Sequence, residues 1–213
     1  MSIHVQNHAR LEAFRVASCS NLTRRIFIVG ASASGKSRLW RVLRSHVDST
    51  VAFPARLVSR PIRADDDPNE NQYLRSTEFH KQFLAGGIDF YWSHLPPLDN
   101  HHYGFGNCTA QSVVHGANND FVLNSSSLHS HHDVASGSLV VLVTCSTQTR
   151  IARLGARYGN ALPPDDEMRY RMMETSDAVR ARCDLLINGE ADDVSAVAAE
   201  FAELTHLKYG DRA

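Results

Sequence analysis

Eight consecutive residues near the start of the chain have the types and spacing of a phosphate-binding loop. They read Gly-Ala-Ser-Ala-Ser-Gly-Lys-Ser, which fits the pattern Gly-x-x-x-x-Gly-Lys-Ser. In such a loop the backbone amides point inward at a polyphosphate, and the glycines allow a close approach that a side chain would block. Lys36 would reach the β- and γ-phosphates, and the Ser37 hydroxyl would hold Mg²⁺. The predicted nucleotide contacts are Gly30, Ala31, Ser32, Ala33, Ser34, Gly35, Lys36 and Ser37.

The residues on either side of this loop predict the strand and the helix that must position it. The apolar run Ile26-Phe27-Ile28-Val29 leads directly into Gly30. Residues 37–47 form a helix pattern with one apolar stripe, which consists of Leu39, Trp40, Leu43 and Val47. The N-terminus of that helix would direct the positive end of its dipole at the bound anion. The sequence therefore predicts a nucleoside triphosphate site.

Strand and helix patterns alternate along the rest of the chain. The predicted strands are residues 25–29, 51–58, 121–123, 139–144 and 184–187, and the predicted helices after residue 47 are 147–156, about 165–182 and 191–204. Pro54 indicates an edge position or a bulge in the second strand. This alternation predicts a parallel sheet covered on both faces, with the ligand crevice at the strand tips near Gly30. Residues before about 22 are expected to form a loosely attached extension or a short helix.

Composition and net charge argue against several classes of partner and location for this protein. The chain has 213 residues and a formal net charge of −1, so no overall basic character indicates a nucleic-acid or anionic-membrane partner. Its four cysteines are scattered without a Cys-x-x-Cys pair, as in proteins that keep reduced thiols. We see no signal-peptide pattern at residues 1–20 and no apolar run of membrane-spanning length. We therefore expect a cytoplasmic protein with no nucleic-acid or membrane partner, and the oligomeric state stays open.

Residues 59–119 differ in character, being polar and rich in Asp, Asn, His and Pro. We interpret them as an inserted lobe. They begin Ser59-Arg60-Pro61-Ile62-Arg63, which places a hydroxyl and two guanidinium groups just past a predicted strand. Arginine is suited to holding a phosphate in a bidentate manner. The expected core of the lobe consists of Phe83, Phe90 and Trp92.

Together these features resemble the guanylate kinase-like kinases. Within that family the chain is most similar to the ribose 1,5-bisphosphate phosphokinases of bacterial phosphonate breakdown, which make 5-phosphoribosyl 1-diphosphate with ATP. The resemblance covers nearly everything from residue 25 to residue 204. It depends on the phosphate loop, Ser59-Arg60-Pro61, Glu70-Asn71, Ser76 to Phe79, Trp92, His94, Tyr103-Gly104 and Asn124-Ser125-Ser126.

The resemblance implies a three-layer α/β P-loop kinase over residues 23–213, after an extension at 1–22. It further implies an acceptor-binding lobe near 59–119, an arginine flap near 157–166, and ATP and Mg²⁺ as cofactors. The implied acceptor contacts are Ser59, Arg60, Arg63, Glu70, Asn71, Tyr103 and Asn124. The implied catalytic cations are Lys36, Arg153, Arg157 and Arg171, while Gly159 stands where relatives usually carry a further flap cation.

Two acceptors and one non-catalytic role remain open on the sequence alone. Guanylate kinases usually carry an acidic residue at the end of the third strand, which we place at residues 121–123 and which here is followed by Asn124. A neutral end suits a sugar hydroxyl or a phosphate oxygen and favours ribose 1,5-bisphosphate over GMP. A binding module that no longer catalyses is the third alternative, against which the intact loop argues. Among the histidines, including His129, His131 and His132, no pattern of metal ligands is evident.

Overall fold

The computed structural model describes residues 3–17, 23–62, 66–93, 101–124, 138–158 and 175–210. Its strands are β1 (Ile3–Val5), β2 (Arg24–Val29), β3 (Val51–Ala52), β4 (Arg56–Val58), β5 (Asn71–Tyr73), β6 (Ile88–Ser93), β7 (His102–Gly106), β8 (Ser112–Gly116), β9 (Ser138–Thr144) and β10 (Leu185–Asn188). Its helices are α1 (His8–Ala17), α2 (Lys36–His46), α3 (Ser76–Leu84), α4 (Asn119–Asn124), α5 (Thr147–Tyr158), α6 (Asp177–Arg180) and α7 (Val194–Leu204).

The larger sheet has six strands in the order β1-β10-β9-β2-β8-β3, and all its pairings are parallel except that of β1 with β10. Alternate residues of β2 bury on opposite faces. Ile26 and Ile28 pack with the residues of α1, α2 and α7, whereas Phe27 and Val29 pack with α4, α6 and the smaller sheet. Burial on both faces explains the continuous apolar runs of β2 and β9. The predicted three-layer α/β fold with a parallel sheet is confirmed.

The N-terminal residues are part of this fold and not a loosely attached extension. β1 pairs antiparallel with β10, and α1 places Leu11 and Phe14 in the core. Arg10 of α1 forms an ion pair of 2.9 Å with the buried carboxylate of Asp184. Of the two alternatives expected for this segment, the short helix is present as α1. Loose attachment is wrong, because the apolar residues of a short segment can bury fully against an existing sheet even when the segment itself is polar on average.

A smaller sheet in the order β5-β4-β7-β6 forms the inserted lobe. The predicted strand at 51–58 is divided between the two sheets, with Pro54 in the break and β3 at the edge of the larger sheet. Trp92 and Phe90 are buried as expected, but they pack against Phe27 and α4, so they join the lobe to the main core. Phe83 is 43% exposed, and its assignment to the lobe core is wrong.

The third parallel strand of the core lies elsewhere than predicted. It is β8, which pairs with β2 and therefore belongs to the larger sheet, although it falls within the lobe range of 59–119. Phe121, Val122 and Leu123 lie in α4, where Asn118 Oδ1 accepts a hydrogen bond of 3.3 Å from the Phe121 amide. Three apolar residues in a row fit a strand or a buried helical turn equally well, and here this side-chain cap favours the helix. Asn124 therefore does not follow a strand.

His115 on β8 should make the protein sensitive to mild acid. Burial, followed by the nearby Arg25, lowers the pKa of His115 to about 3, and its ring stacks on Phe27 at 5.1 Å between centroids. Below the ordinary histidine pKa the unfolded chain binds a proton that the native protein does not. This difference should lower the free energy of unfolding by about 2 kcal/mol between pH 6.5 and pH 4.5.

Urea unfolding across that pH range measures this loss. His115→Phe should remove it, whereas His8→Phe, at an exposed histidine of α1, should keep the wild-type pH dependence. A wild-type slope in His115→Phe would show that other groups cause the acid sensitivity.

Candidate active site

A cavity of about 690 Å³ lies between the loop after β2 and the inserted lobe. All eight predicted nucleotide contacts, Gly30 to Ser37, line it. Of the other predicted site residues, Arg60, Glu70, Asn71, Tyr103, Arg153 and Arg157 also line it. The topology thus brings together at one end of the sheet residues that lie up to 127 positions apart in the sequence, from Gly30 to Arg157.

Close backbone approach explains the glycines of the loop. A Cβ on Gly30 would lie 2.4 Å from the Val143 carbonyl oxygen, and Gly35 adopts a φ of +107°. Sequence reasoning missed a third glycine, Gly189, which directly follows β10. A Cβ there would lie 1.8 Å from the carbonyl oxygen of Ser34, so only glycine fits against the loop at this position.

Lys36 is a partly buried lysine among the residues that line the cavity. Its Nζ donates a hydrogen bond of 2.7 Å to the Ala31 carbonyl oxygen. Burial, and next the positive charge of Arg56, lowers the pKa of Lys36 to about 7. The arginines Arg56, Arg150 and Arg157 lower the pKa of Lys36 and Glu70 raises it. A lysine in this environment is suited to receive an anionic ligand, which would stabilise its charged form.

Two arginines of α5 donate hydrogen bonds to backbone carbonyl oxygens of the phosphate loop. Arg153 donates to the carbonyl oxygens of Ala33 (3.1 Å) and Gly189 (3.0 Å). The buried Arg150, which sequence reasoning missed, donates from Nε to the Ser32 carbonyl oxygen at 3.1 Å. Arg157 is exposed and lines the cavity. Arg150 lies three positions before Arg153, so the two side chains share one face of the predicted helix. This spacing could have predicted that Arg150 also faces the loop.

Arg153→Ala should therefore weaken nucleotide binding itself, since Arg153 already fixes the loop in the absence of ligand. We expect the Kd for ADP to rise by roughly tenfold, the effect of one lost hydrogen bond to a charged group. Isothermal titration calorimetry measures this change. Arg75→Ala, at an exposed arginine preceding α3, should bind ADP like the wild type. An unchanged Kd together with a lower turnover number would instead assign Arg153 to the transfer step and not to nucleotide binding.

Arg60 faces the cavity with its guanidinium group occupied by a carboxylate. It donates to both oxygens of Asp66, at 2.7 Å and 2.6 Å, and the two side chains are 5% and 9% exposed. Burial opposes the charge of Arg60, but the hydrogen bonds from its guanidinium to Asp66 outweigh this and raise its pKa. This geometry shows that Arg60 can bind an anion in the bidentate manner that the sequence predicts.

Arg56 of β4 is a second lobe arginine in the cavity, and sequence reasoning missed it. It donates to Asn71 Oδ1 from Nη2 (2.7 Å) and from Nε (3.2 Å), and its guanidinium carbon lies 5.5 Å from the centre of the Tyr103 ring. Burial lowers its pKa. Since Arg56 connects two of the predicted acceptor contacts, Asn71 and Tyr103, it belongs to the same site. The sequence did offer one signal, because Arg56 lies inside the predicted strand at residues 51–58 and a buried charge there requires a partner.

Two predicted acceptor contacts face other groups. Glu70 Oε2 accepts a hydrogen bond of 2.7 Å from the Ser37 hydroxyl, and Glu70 Oε1 accepts one of 3.0 Å from Arg41. Ser59 does not line the cavity, and its Oγ accepts a hydrogen bond of 2.8 Å from the His102 amide. The structure thus gives Ser59 a role in joining β4 to β7.

A carboxylate does follow the third parallel strand. After β8, the four residues Ala117, Asn118, Asn119 and Asp120 line the cavity, and Asp120 is buried. The sequence argument that this strand lacks a nearby acidic residue is therefore wrong, because it used Asn124 and the wrong strand. Asn118 Oδ1 also accepts a hydrogen bond of 2.8 Å from Trp92 Nε1, which ties this turn to the lobe.

Several predicted features lie outside the described residues. They are Arg63, Arg171, the flap from residue 159 onward, the Asn124 side chain, Ser125 to Ser127, His94 and the histidines at 129, 131 and 132. Among the described residues, no three His, Cys, Asp or Glu side chains group as a metal site. No helix in the same residues is long and apolar enough to cross a membrane.

Comparison with known proteins gives a structural match. No family model matches the chain, and no curated protein matches its sequence. Among solved structures, it is similar to the guanylate kinase from Anaplasma phagocytophilum, with a TM-score of 0.55 over 86% of this chain and 85% of that one. The chain has a guanylate kinase-like P-loop fold. At 10% sequence identity this similarity establishes the fold alone.

Proposed function

We propose that this protein is a kinase that transfers the γ-phosphoryl group of ATP to a phosphate group of a small acceptor. The observation that carries the proposal is the composition of one cavity. A complete phosphate loop, which follows β2 of the larger sheet, and the lobe arginines Arg56 and Arg60 line it together. A site with anion-binding groups from both sheets suits two phosphorylated ligands.

The chemistry requires positioning and charge neutralisation more than a strong base. An acceptor phosphate is already ionised at neutral pH, so its oxygen can attack the γ-phosphorus while the bond to the ADP oxygen breaks. Lys36 and Arg157 would stabilise the charge on the transferring group, and Arg153 keeps the loop in place. The oxygen donors Ser37 and Glu70 fit Mg²⁺, which when bound would neutralise charge between the phosphates.

For the acceptor we propose ribose 1,5-bisphosphate, which would yield 5-phosphoribosyl 1-diphosphate in phosphonate breakdown. The support is the sequence resemblance together with the two guanidinium groups of Arg56 and Arg60. An acceptor with two phosphates carries more negative charge than a nucleoside monophosphate and benefits more from paired arginines.

GMP is the second candidate, and Asp120 favours it. A buried carboxylate in the first turn of α4, four residues after β8, could accept hydrogen bonds from the N–H groups of a guanine. A site built around such hydrogen bonds would discriminate strongly against an acceptor that lacks them.

An ADP-release assay with MgATP and each acceptor separately tests the proposed function. We expect turnover with ribose 1,5-bisphosphate and little with GMP. GDP formation with ribose 1,5-bisphosphate inert would reverse the choice of acceptor and retain the kinase. Binding of ATP without turnover on any phosphorylated sugar or nucleoside monophosphate would contradict the kinase proposal and favour a non-catalytic module.

Arg60→Ala should raise the KM for the acceptor by roughly 10- to 100-fold, because a bidentate charged contact is lost, while the KM for ATP changes little. Steady-state kinetics with each substrate varied in turn measures the two effects. Arg44→Ala, at an exposed arginine of α2 outside the cavity lining, is the matched control and should leave both values unchanged. Equal increases in the KM for ATP and the KM for the acceptor would show that Arg60 maintains the structure of the lobe and does not bind the acceptor specifically.

A further inference from the structure

The contact between Ser37 and Glu70 joins the two halves of the cavity. Ser37 belongs to the phosphate loop, whereas Glu70 belongs to the lobe, directly before β5. The 2.7 Å hydrogen bond runs from the serine hydroxyl to Oε2, and Arg41 holds the other carboxylate oxygen at 3.0 Å. The Glu70 backbone is also fixed, since its carbonyl oxygen accepts a hydrogen bond of 2.9 Å from the Arg56 amide. Glu70 therefore has a defined position at the loop.

The hydrogen bond from Ser37 to Glu70 determines how the serine hydroxyl can bind a cation. A serine hydroxyl has one proton and two lone pairs, so it can coordinate a cation through a lone pair only while its proton points to another acceptor. In P-loop nucleotide-hydrolysing proteins, an aspartate accompanies the loop serine in holding Mg²⁺. Here the residues directly after β8 and β9 are Ala117 and Cys145, and the nearest carboxylate beyond β8, that of Asp120, belongs to α4.

We propose that Glu70 is the positioning residue for Mg²⁺ in this protein. By accepting the Ser37 proton it would direct the serine lone pair at the metal ion, and its own negative charge would favour the cation. The acid that completes the metal site would then come from the acceptor-binding lobe and not from the central sheet. This inference rests on the proposed function, and it replaces the acceptor contact that the sequence predicts for Glu70.

The effect of Mg²⁺ on ADP binding tests this role without any measurement of activity. Isothermal titration calorimetry gives the Kd for ADP with Mg²⁺ and with EDTA, and the ratio of the two values reports the contribution of the metal ion. In the wild type we expect Mg²⁺ to tighten binding. In Glu70→Gln the ratio should fall by roughly 10-fold or more, while the Kd in EDTA stays close to that of the wild type. Glu70→Ala, which removes the acceptor entirely, should show the same loss.

Asp67→Asn is the matched control. Asp67 lines the same cavity and lies 3.6 Å from Arg41, so the change removes the same charge beside the same arginine without a contact to Ser37. It should retain the wild-type ratio. A wild-type ratio in Glu70→Gln, or an equal fall in Asp67→Asn, would overturn the role of Glu70. A wild type that binds no ADP, or binds it equally with and without Mg²⁺, would instead contradict the proposed function.

Discussion

Replacing Lys36 with alanine should reduce the turnover number by about 100-fold or more, the effect of removing one positioned electrostatic group from a transition state. Lys36 Nζ donates to the Ala31 carbonyl oxygen of the loop, and its side chain lines the cavity together with Arg56 and Arg157. Steady-state measurement of kcat with saturating ATP and acceptor gives the effect.

The fold should survive this change, because the Lys36 side chain faces the cavity and contributes nothing to the apolar clusters. Lys81→Ala, at an exposed lysine of α3, removes the same charge far from the loop and should leave kcat unchanged. A Lys36→Ala enzyme that works at close to the wild-type rate would refute the assignment of this loop to phosphate binding.

Gly189→Ala should damage the nucleotide site as severely as any change inside the loop. The added Cβ would lie 1.8 Å from a backbone oxygen, and backbone does not move aside as a flexible side chain does. Either the loop or the turn after β10 must shift, at a cost of about 1–3 kcal/mol in stability. Because Arg153 bonds to both segments, we expect measurable ADP binding to be lost.

Gly155→Ala separates this steric effect from the general effect of replacing glycine. Gly155 lies in α5 with nothing within 4 Å of its added Cβ, and alanine has the higher helix propensity. That variant should bind ADP normally and unfold at the same or a slightly higher temperature. Thermal unfolding and ADP titration of both variants measure the contrast, and normal ADP binding by Gly189→Ala would contradict the close packing of the turn against the loop.

Local patterns predicted the elements around the loop well. The strand before the loop and the apolar stripe of α2 follow from spacing within about a dozen residues, and both are confirmed. All eight predicted nucleotide contacts line one cavity, and their contact with a nucleotide stays a prediction. What the sequence did not show depends on distant pairings. Gly189 and Arg150 matter only because β10 and α5 place them against the loop, and no local pattern reports that proximity.

The acceptor half of the site was predicted less well from the sequence, because it depends even more on distant pairings. Phe121 to Leu123 has the composition of a short strand, yet β8, with its serine, histidine and glycine, takes the central position beside β2. This one displacement moved the expected strand end from Gly116 to Leu123, so the argument about the acceptor considered Asn124 instead of Asp120. Arg56 was missed for a related reason, since its partners Asn71 and Tyr103 lie 15 and 47 residues away.

The antiparallel pairing of β1 has a consequence for any shortened form of this protein. A chain that begins at residue 23, the boundary suggested by the sequence, lacks the strand that covers the outer edge of β10. Its backbone donors and acceptors along that edge would then face water beside the apolar surface that Leu11 and Phe14 now cover. Exposed edges of this kind pair readily with other chains. We therefore expect a chain shortened at residue 23 to self-associate more readily than one that keeps the N-terminal strand and helix.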